Sequence, residues 1–392
     1  MARTALPRQT ANAKQNKPRA ARRKTARPPT GDMDWTFLFI VVVMLAFGLV
    51  MLLSASAPAG ASIYGNSYYF FLKQLAFAGV GFGGMLFVSR IDYLTYKSLA
   101  PTMMIICVIL LVCVLIPGIG ASHNGSRRWL NTPFVEIQPS EFMKPVIAMY
   151  FARLVDEGKY DLKKLGGNLP YIGVLLVVVG LMLLETHLSG AIIIAGIGVS
   201  VMIAGGTPVK PVLIGALILF PIGIFGVYIG SEVRWARVTS FLDPFKDIRN
   251  ESYQVAQGLY AIGSGGIFGR GLGQSVQKYS YLPEPYNDFI FAIVCEELGL
   301  VGATVVILLF AALIVRAVRI AMNAPDTYSS LVAVGIAAQL AIQTILNIAV
   351  ATSSMPNTGV SLPFFSYGGT AIMTLLLEMG VLLNISRYSL KD

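Results

Sequence analysis

Long apolar runs constrain this chain more than any other feature. Stretches of about 18 or more residues with few charged side chains recur from Trp35 to the C-terminal end, and runs of that length are what a helix needs to cross a bilayer. They are continuous runs, not the period-2 or period-3.6 stripes of elements that bury one face. The whole chain of 392 residues is 55% hydrophobic and only 13% charged, with mean hydropathy +0.68. One soluble core could not use that much apolar surface. The expected fold is all-α and polytopic, with about ten transmembrane helices near 36–54, 68–89, 99–119, 140–154, 169–185, 188–206, 211–229, 289–315, 331–352 and 368–386. The fourth is short and starts on polar residues; the eighth carries Glu296-Glu297. The 39 glycines suit close approach between membrane helices.

Charge supplies direction. Arg3, Arg8, Lys14, Lys17, Arg19, Arg22, Arg23, Lys24 and Arg27 precede Trp35, set among Pro and Ala, against Asp32 and Asp34. Residues 1–34 read as a disordered cytoplasmic tail drawn to anionic membrane lipids; nucleic acid is the weaker alternative. The tail lacks the layout of a cleaved signal, so the first helix is expected to remain as an anchor. With that end cytoplasmic, the tail and the short inner loops hold twenty of the 30 basic residues, as the positive-inside bias demands. The C-terminus then also faces the cytoplasm. Cys107, Cys113 and Cys295 lie in apolar segments and read as buried thiols.

The remaining basic residues run against that bias. Lys73 and Lys144 fall near the outer ends of spans, and Arg127, Arg128, Arg234, Arg237, Lys246, Arg249, Arg270 and Lys278 lie in two outer loops. A long loop can be exported whatever its charge; the alternative is an anionic ligand at the outer surface. The larger loop, about 230–287, contains Gly263-Ser264-Gly265-Gly266 and Gly269-Arg270-Gly271-Leu272-Gly273. A loop that cradles phosphate on backbone N–H groups is one reading of these glycines, whereas a dinucleotide fold lacks its preceding strand.

Only His123 and His187 occur, which argues against a histidine zinc site or a Ser-His-Asp triad. No P-loop is present, so nothing points to an ATP-driven pump. Chemistry then rests on carboxylates, basic groups and, as an option, a divalent cation. Carboxylates within or beside spans are costly and mark function by default; here they are Glu141, Glu185, Asp288, Glu296, Glu297 and Glu378. Glu141 and Lys144 share a helix face, either as a structural ion pair or as a charge pair beside a cavity. Glu284 and Asp288 stand where the large loop re-enters the membrane. In a helical turn they would come together, and desolvation with a like charge would raise one of them toward a general base. The other reading makes Asp288 or Asn287 the cap of the eighth helix.

Several motifs then become recognisable. Gly125-Ser126-Arg127-Arg128-Trp129 precedes Gln138-Pro139-Ser140-Glu141-Phe142-Met143-Lys144. Tyr253-Gln254, Ala261-Ile262-Gly263-Ser264-Gly265-Gly266, Leu282-Pro283-Glu284, Asn287-Asp288-Phe289-Ile290-Phe291-Ala292 and Glu296-Glu297-Leu298-Gly299 follow, and Pro356 to Gly369 closes the set. In this order they resemble the SEDS (shape, elongation, division and sporulation) family of peptidoglycan glycosyltransferases, which includes FtsW, RodA and SpoVE types. The likeness covers a membrane domain at 35–390, and Arg237-Val238-Thr239-Ser240-Phe241-Leu242-Asp243-Pro244 is more similar to FtsW-like members than to RodA-like ones.

The resemblance implies a multi-pass enzyme of the bacterial cytoplasmic membrane, at the division septum, that polymerises lipid II on the outer face. It implies a class B penicillin-binding protein transpeptidase and other divisome proteins as partners. It places Asp288 as catalytic base. Arg127, Arg128, Trp129, Glu141, Lys144, Arg237, Arg270 and Glu284 are expected to bind substrate, with Glu185, His187, Glu297 and Ser366 as further cavity residues. The resemblance fixes no cofactor, and a divalent ion (Mg or Mn) is an option for the diphosphate. One departure stands out: where the family commonly has Gln-Pro-Asp-Leu-Gly, this chain has Glu185-Thr186-His187-Leu188-Ser189-Gly190. His187 then reads either as a satisfied helix-end histidine or as a pH-sensitive group. A lipid II flippase is the rival function, because intramembrane Glu and Lys suit a translocation path as well; a non-catalytic division scaffold is the weaker rival.

Overall fold

A computed structural model describes residues 31–123, 126–131, 136–215, 217, 241–246 and 252–389. The basic tail, most of the seventh expected span, and Arg234, Arg237 and Arg249 lie outside the described residues. The helices are α1 (Trp35–Tyr64), α2 (Tyr69–Val88), α3 (Tyr93–Leu115), α4 (Pro139–Asp156), α5 (Leu165–Leu184), α6 (Leu188–Ala204), α7 (Tyr253–Gly265), α8 (Ile290–Met322), α9 (Thr327–Ala351) and α10 (Gly369–Arg387). Among the described residues, seven helices are long and apolar enough to cross a membrane, and α6 is a shorter apolar one. The chain is a multi-pass membrane protein. Outward-facing Phe39, Phe87, Leu176 and Leu184 are exposed on these helices, as side chains that meet lipid would be, and α9 and α10 form the buried centre of the bundle.

Acidic caps close one face. Asp34, Asp92 and Asp326 accept the first backbone N–H groups of α1, α3 and α9, each satisfying a donor that the helix cannot. The start of α1 and the end of α10 meet there, through Gly31 N–H to Arg387 O at 2.7 Å and the Asp34–Arg316 ion pair at 2.7 Å. Both ends of the membrane domain therefore share one side.

On the opposite face, α3 leads into a three-stranded antiparallel sheet, β1 (Gly120–His123), β2 (Ser126–Asn131) and β3 (Glu136–Ile137), which the helical patterning did not reveal. Ala121 pairs with Trp129 and Ser122 with Arg127, so Arg128 is the extra residue of a β-bulge.

The described part of the segment expected as the large outer loop folds as a hairpin against α8. Helix α7 descends beside the first turns of α8, with Gly258 against the Phe289 ring and Gly265 against the Cys295 carbonyl. The chain turns at 266–272 and climbs back to Asp288. Where it turns, α8 is broken at Gly299 (φ +67°, ψ −164°). The break leaves backbone groups of α8 without their helical partners, and buried groups of that kind must find others. The turn supplies them: Arg270 and Gly271 donate to the Glu296 and Glu297 carbonyls, and Leu300 and Val301 donate to Gly266 and Ile267. A Cβ on Gly299 would lie 2.3 Å from the Gly269 nitrogen, so glycine is required there on both conformational and steric grounds.

Candidate active site

Helix α9 organises the site. Gln339, Gln343 and Asn347 recur every four residues, a polar stripe on an otherwise apolar helix, and all three are buried. Asn347 Nδ2 donates to the Asp288 carbonyl at 2.9 Å and to Val360 O at 2.6 Å. Gln343 Nε2 donates to Ser361 O at 3.0 Å, while its Oε1 accepts from Lys144 at 3.3 Å. The stripe thus joins the Asp288 turn, the 356–366 strap and α4. Sequence reasoning missed it, although the i, i+4, i+8 amide spacing in an apolar helix was a readable signal.

Asp288 sits half-buried at the end of this hairpin, one residue before the cap of α8. Phe289 takes the cap position, with no side-chain cap bond, so neither Asp288 nor Asn287 has the capping role. Ser366 Oγ donates to Asn287 O at 2.7 Å and itself accepts from the Leu362 N–H, and Tyr367 N–H donates to Tyr286 O. The backbone around Asp288 is clamped from both α9 and the strap. Its carboxylate faces Gly359, where a Cβ would lie 3.2 Å from Oδ2 at φ +69°. Burial, then the Glu284 charge, push the Asp288 carboxyl up to about 6, and Arg128 acts in the opposite sense. Glu284 is brought near by a tight turn and not by a helical one: it has φ +45° and its carbonyl accepts from Asn287 N–H. Thr186 and Phe364, at φ +57° and +67°, are strained as well, and such strain gathers at functional sites.

The bulge in β2 aims Arg128 across the site, where Nη2 donates to Thr186 O at 2.6 Å. This ties the outer sheet to the α5–α6 turn, as bulges that redirect one side chain do. Arg127 is exposed and Trp129 half-buried on the same strand. Glu185 and His187 are buried in that turn, and neither the Glu185 carboxyl oxygens nor His187 Nδ1 has a hydrogen-bond partner. Burial raises the Glu185 carboxyl to about 8 against the pull of Arg128. Burial, then the charges of Arg128 and Lys144, hold His187 well below the ordinary histidine range. Glu141 and Lys144 form a buried ion pair with Nζ 2.7 and 2.8 Å from the two carboxylate oxygens. A cavity bordered by Glu141, Gln339, Gln343, Ser361 and Ser366 lies beside it.

Two expected site residues are placed elsewhere. Glu297 is fully buried, paired with Lys278 at 2.8 Å and bonded by Ser54 and by the Gly273 and Ser275 N–H groups. Arg270 stands 3.8 Å from Glu296 as its counter-charge. Together they fasten the hairpin, away from the Asp288 clamp. The glycine-rich turn has no phosphate cradle to offer, because Gly269, Gly271 and Gly273 spend their N–H groups on Gly265 O, Glu297 O and the Glu297 carboxylate.

Comparison with known proteins agrees over nearly the whole chain. The profile of the FtsW/RodA/SpoVE cell cycle protein family matches residues 34–391. Stage V sporulation protein E of Bacillus subtilis (strain 168) is 42% identical over 358 residues, covering 91% of this chain and 97% of its own. A probable peptidoglycan glycosyltransferase FtsW of Trichlorobacter lovleyi is 40% identical, over 91% of this chain and 93% of its own. A solved protein from a peptidoglycan synthase complex that coordinates polymerization and crosslinking superposes with TM-score 0.78 at 26% identity, over 92% of this chain and 99% of that one. With its motifs, its bundle and these relatives in agreement, the chain belongs to the FtsW/RodA/SpoVE family of cell cycle proteins.

Proposed function

We propose that this protein is a peptidoglycan glycosyltransferase that polymerises lipid II at the outer face of the cytoplasmic membrane, with Asp288 as general base. The observation that carries this reading is the Asp288 carboxylate itself. It is held on a clamped backbone, with its proton affinity raised into the working range of a base. Asp288 takes the proton from the 4-hydroxyl of the acceptor sugar as that oxygen attacks the anomeric carbon of the lipid-linked donor. The bond to the diphosphate breaks, and the polyprenyl diphosphate leaves with the electron pair. Arg128, fixed across the cavity by Thr186 O, and Arg127 beside it are the cations that balance the leaving charge. Glu141 and Lys144 present a preformed dipole at the inner end of the cavity.

Among the described residues no three His, Cys, Asp or Glu side chains converge as a metal site. A Mg or Mn ion, where it takes part, would draw its main ligands from the substrate diphosphate. The basic residues Arg90, Lys97, Arg153, Arg316 and Arg319 support a cytoplasmic assignment for the side shared by both ends of the domain. The FtsW names of relatives support work at the septum, with divisome proteins and a class B penicillin-binding protein transpeptidase as partner; the sporulation relative makes spore wall synthesis the second setting.

The test is polymerisation of labelled lipid II by the purified protein with its transpeptidase. Wild type should give glycan ladders and Asp288→Asn none, while both remain folded. A ladder of normal length from Asp288→Asn removes Asp288 from the base role. Lipid II translocation without polymerisation would favour a flippase.

A further inference from the structure

Glu378 lies in the middle of α10, and the proposed chemistry does not use it. Its side chain is 1% exposed, and its Oε2 accepts a 2.8 Å hydrogen bond from Nε2 of Gln339 on α9, which is 3% exposed. Two atoms of this same pair are left over, Glu378 Oε1 and Gln339 Oε1, both buried and without a hydrogen-bond partner. With an ionised carboxylate both are acceptors and neither can serve the other. Each buried orphan then goes without the hydrogen bond it would make in water. A carboxylic acid has one O–H to donate, and one donor is what the two orphans lack. A planar acid and a planar primary amide are complementary, each giving one hydrogen bond and accepting one.

The neighbouring charges lead to the same assignment. Helix α4 brings Glu141 and Lys144, and Lys144 is already bidentate on Glu141. Helices α1 and α9 contain no charged side chain. Helix α2 carries only Lys73, near its outer end, and meets α10 around Glu378 through Gly81, Gly84 and Met85. Lys97 of α3 is paired with Asp156. On α8, Glu296 and Glu297 are held by the hairpin, Arg316 pairs with Asp34, and Arg319 is in the last turn. One ammonium thus faces two carboxyl groups in an interior where an unpaired charge is strongly disfavoured.

We infer that Glu378 is a protonation site within the membrane bundle, a neutral acid locked onto Gln339 in a two-point acid–amide pair beside the Glu141–Lys144 ion pair. The proton leaves Lys144 wholly to Glu141. The same pair joins α9 to α10 one helical turn below Gln343, which reaches Lys144 from α9.

Infrared difference spectroscopy of the whole protein in lipid nanodiscs at neutral pH tests this, comparing wild type with Glu378→Gln. The expected result is a protonated-acid carbonyl band present in wild type and lost in the variant. Gln339→Leu, which removes the amide partner, should shift that band, and it remains informative if Glu378→Gln fails to fold. Glu378→Gln keeps a neutral two-point pair and should unfold near the wild-type midpoint, whereas Glu378→Leu strands the amide and should unfold earlier. Loss of a carboxylate band in place of the acid band overturns the inference, as does an acid band that Gln339→Leu leaves unmoved. These readouts need no substrate, so their failure is distinguishable from failure of the glycosyltransferase reading.

Discussion

Replacing Asp288 by Asn separates what this carboxylate does for the reaction from what it costs the fold. In the folded protein, burial and the neighbouring Glu284 charge raise the group to about 6, against an ordinary 3.8. The folded state therefore holds the proton to higher pH than the unfolded chain does. Ionisation of Asp288 favours unfolding, so stability falls as pH rises between those two values, and the loss is complete above the higher one. Two pH units at 1.36 kcal/mol each give about 3 kcal/mol at pH 7.5. Asp288→Asn keeps the shape and removes the charge, so the variant should be more stable than wild type by about that amount at pH 7.5, shrinking to roughly a third of it at pH 4.5. Denaturant unfolding in nanodiscs at the two pH values measures the gain, and the glycan ladder assay measures the accompanying loss of polymerisation, at least about a hundredfold for a general base. A variant no more stable than wild type at pH 7.5, or a gain that ignores pH, would refute the claim that this carboxylate is held desolvated for its chemistry.

The same group sets an acid limit: the wild-type polymerisation rate should fall as pH drops through about 6, because the protonated carboxyl cannot act as base. Lys278→Met leaves the fully buried Glu297 without its cation and should cost about 3–5 kcal/mol. Lys278→Met with Glu297→Gln should recover most of that loss, read by unfolding and by protease cleavage within 266–287. Gly299→Ala puts a Cβ against the Gly269 nitrogen at a positive φ and should destabilise by more than about 2 kcal/mol, seen as a lower thermal midpoint. Asn347→Leu frees the Asp288 backbone and should lower kcat about tenfold with KM little changed, since it disturbs positioning and not substrate contact.

The membrane bundle was legible because its signal is additive: twenty apolar residues in a row outweigh any local ambiguity. The hairpin at 253–287 was not, and the reason is visible in its residues. Its α7 helix is only 13 residues long, too short to register as a span, and its turn is built from glycines that also suit a solvated loop. Glu296 and Glu297 look like functional carboxylates in sequence, yet their partners Ser275 and Lys278 stand about twenty positions earlier. The hairpin brings them together by folding back along α8. The small sheet was hidden for a similar reason, since its strands have two to six residues and alternate too briefly to be read.

For the site, sequence spacing found the Glu141–Lys144 pair because i, i+3 neighbours on a helix meet whatever the rest of the fold does. Spacing could not separate Arg128 from Arg270, both outward-facing arginines in outer loops. The structure separates them by their obligations. Arg270 stands 3.8 Å from the buried Glu296, and Lys278 pairs with the buried Glu297 at 2.8 Å. Arg128 owes its aim to a bulge and reaches the Thr186 carbonyl at the α5–α6 turn. The Arg128 charge bears on Asp288, Glu185 and His187 alike. Arg128→Lys retains a cation but forfeits the reach and the planar fork. It should therefore raise KM for lipid II, while Arg270→Lys should instead loosen the hairpin and lower stability; the opposite pairing of outcomes would reverse the two assignments.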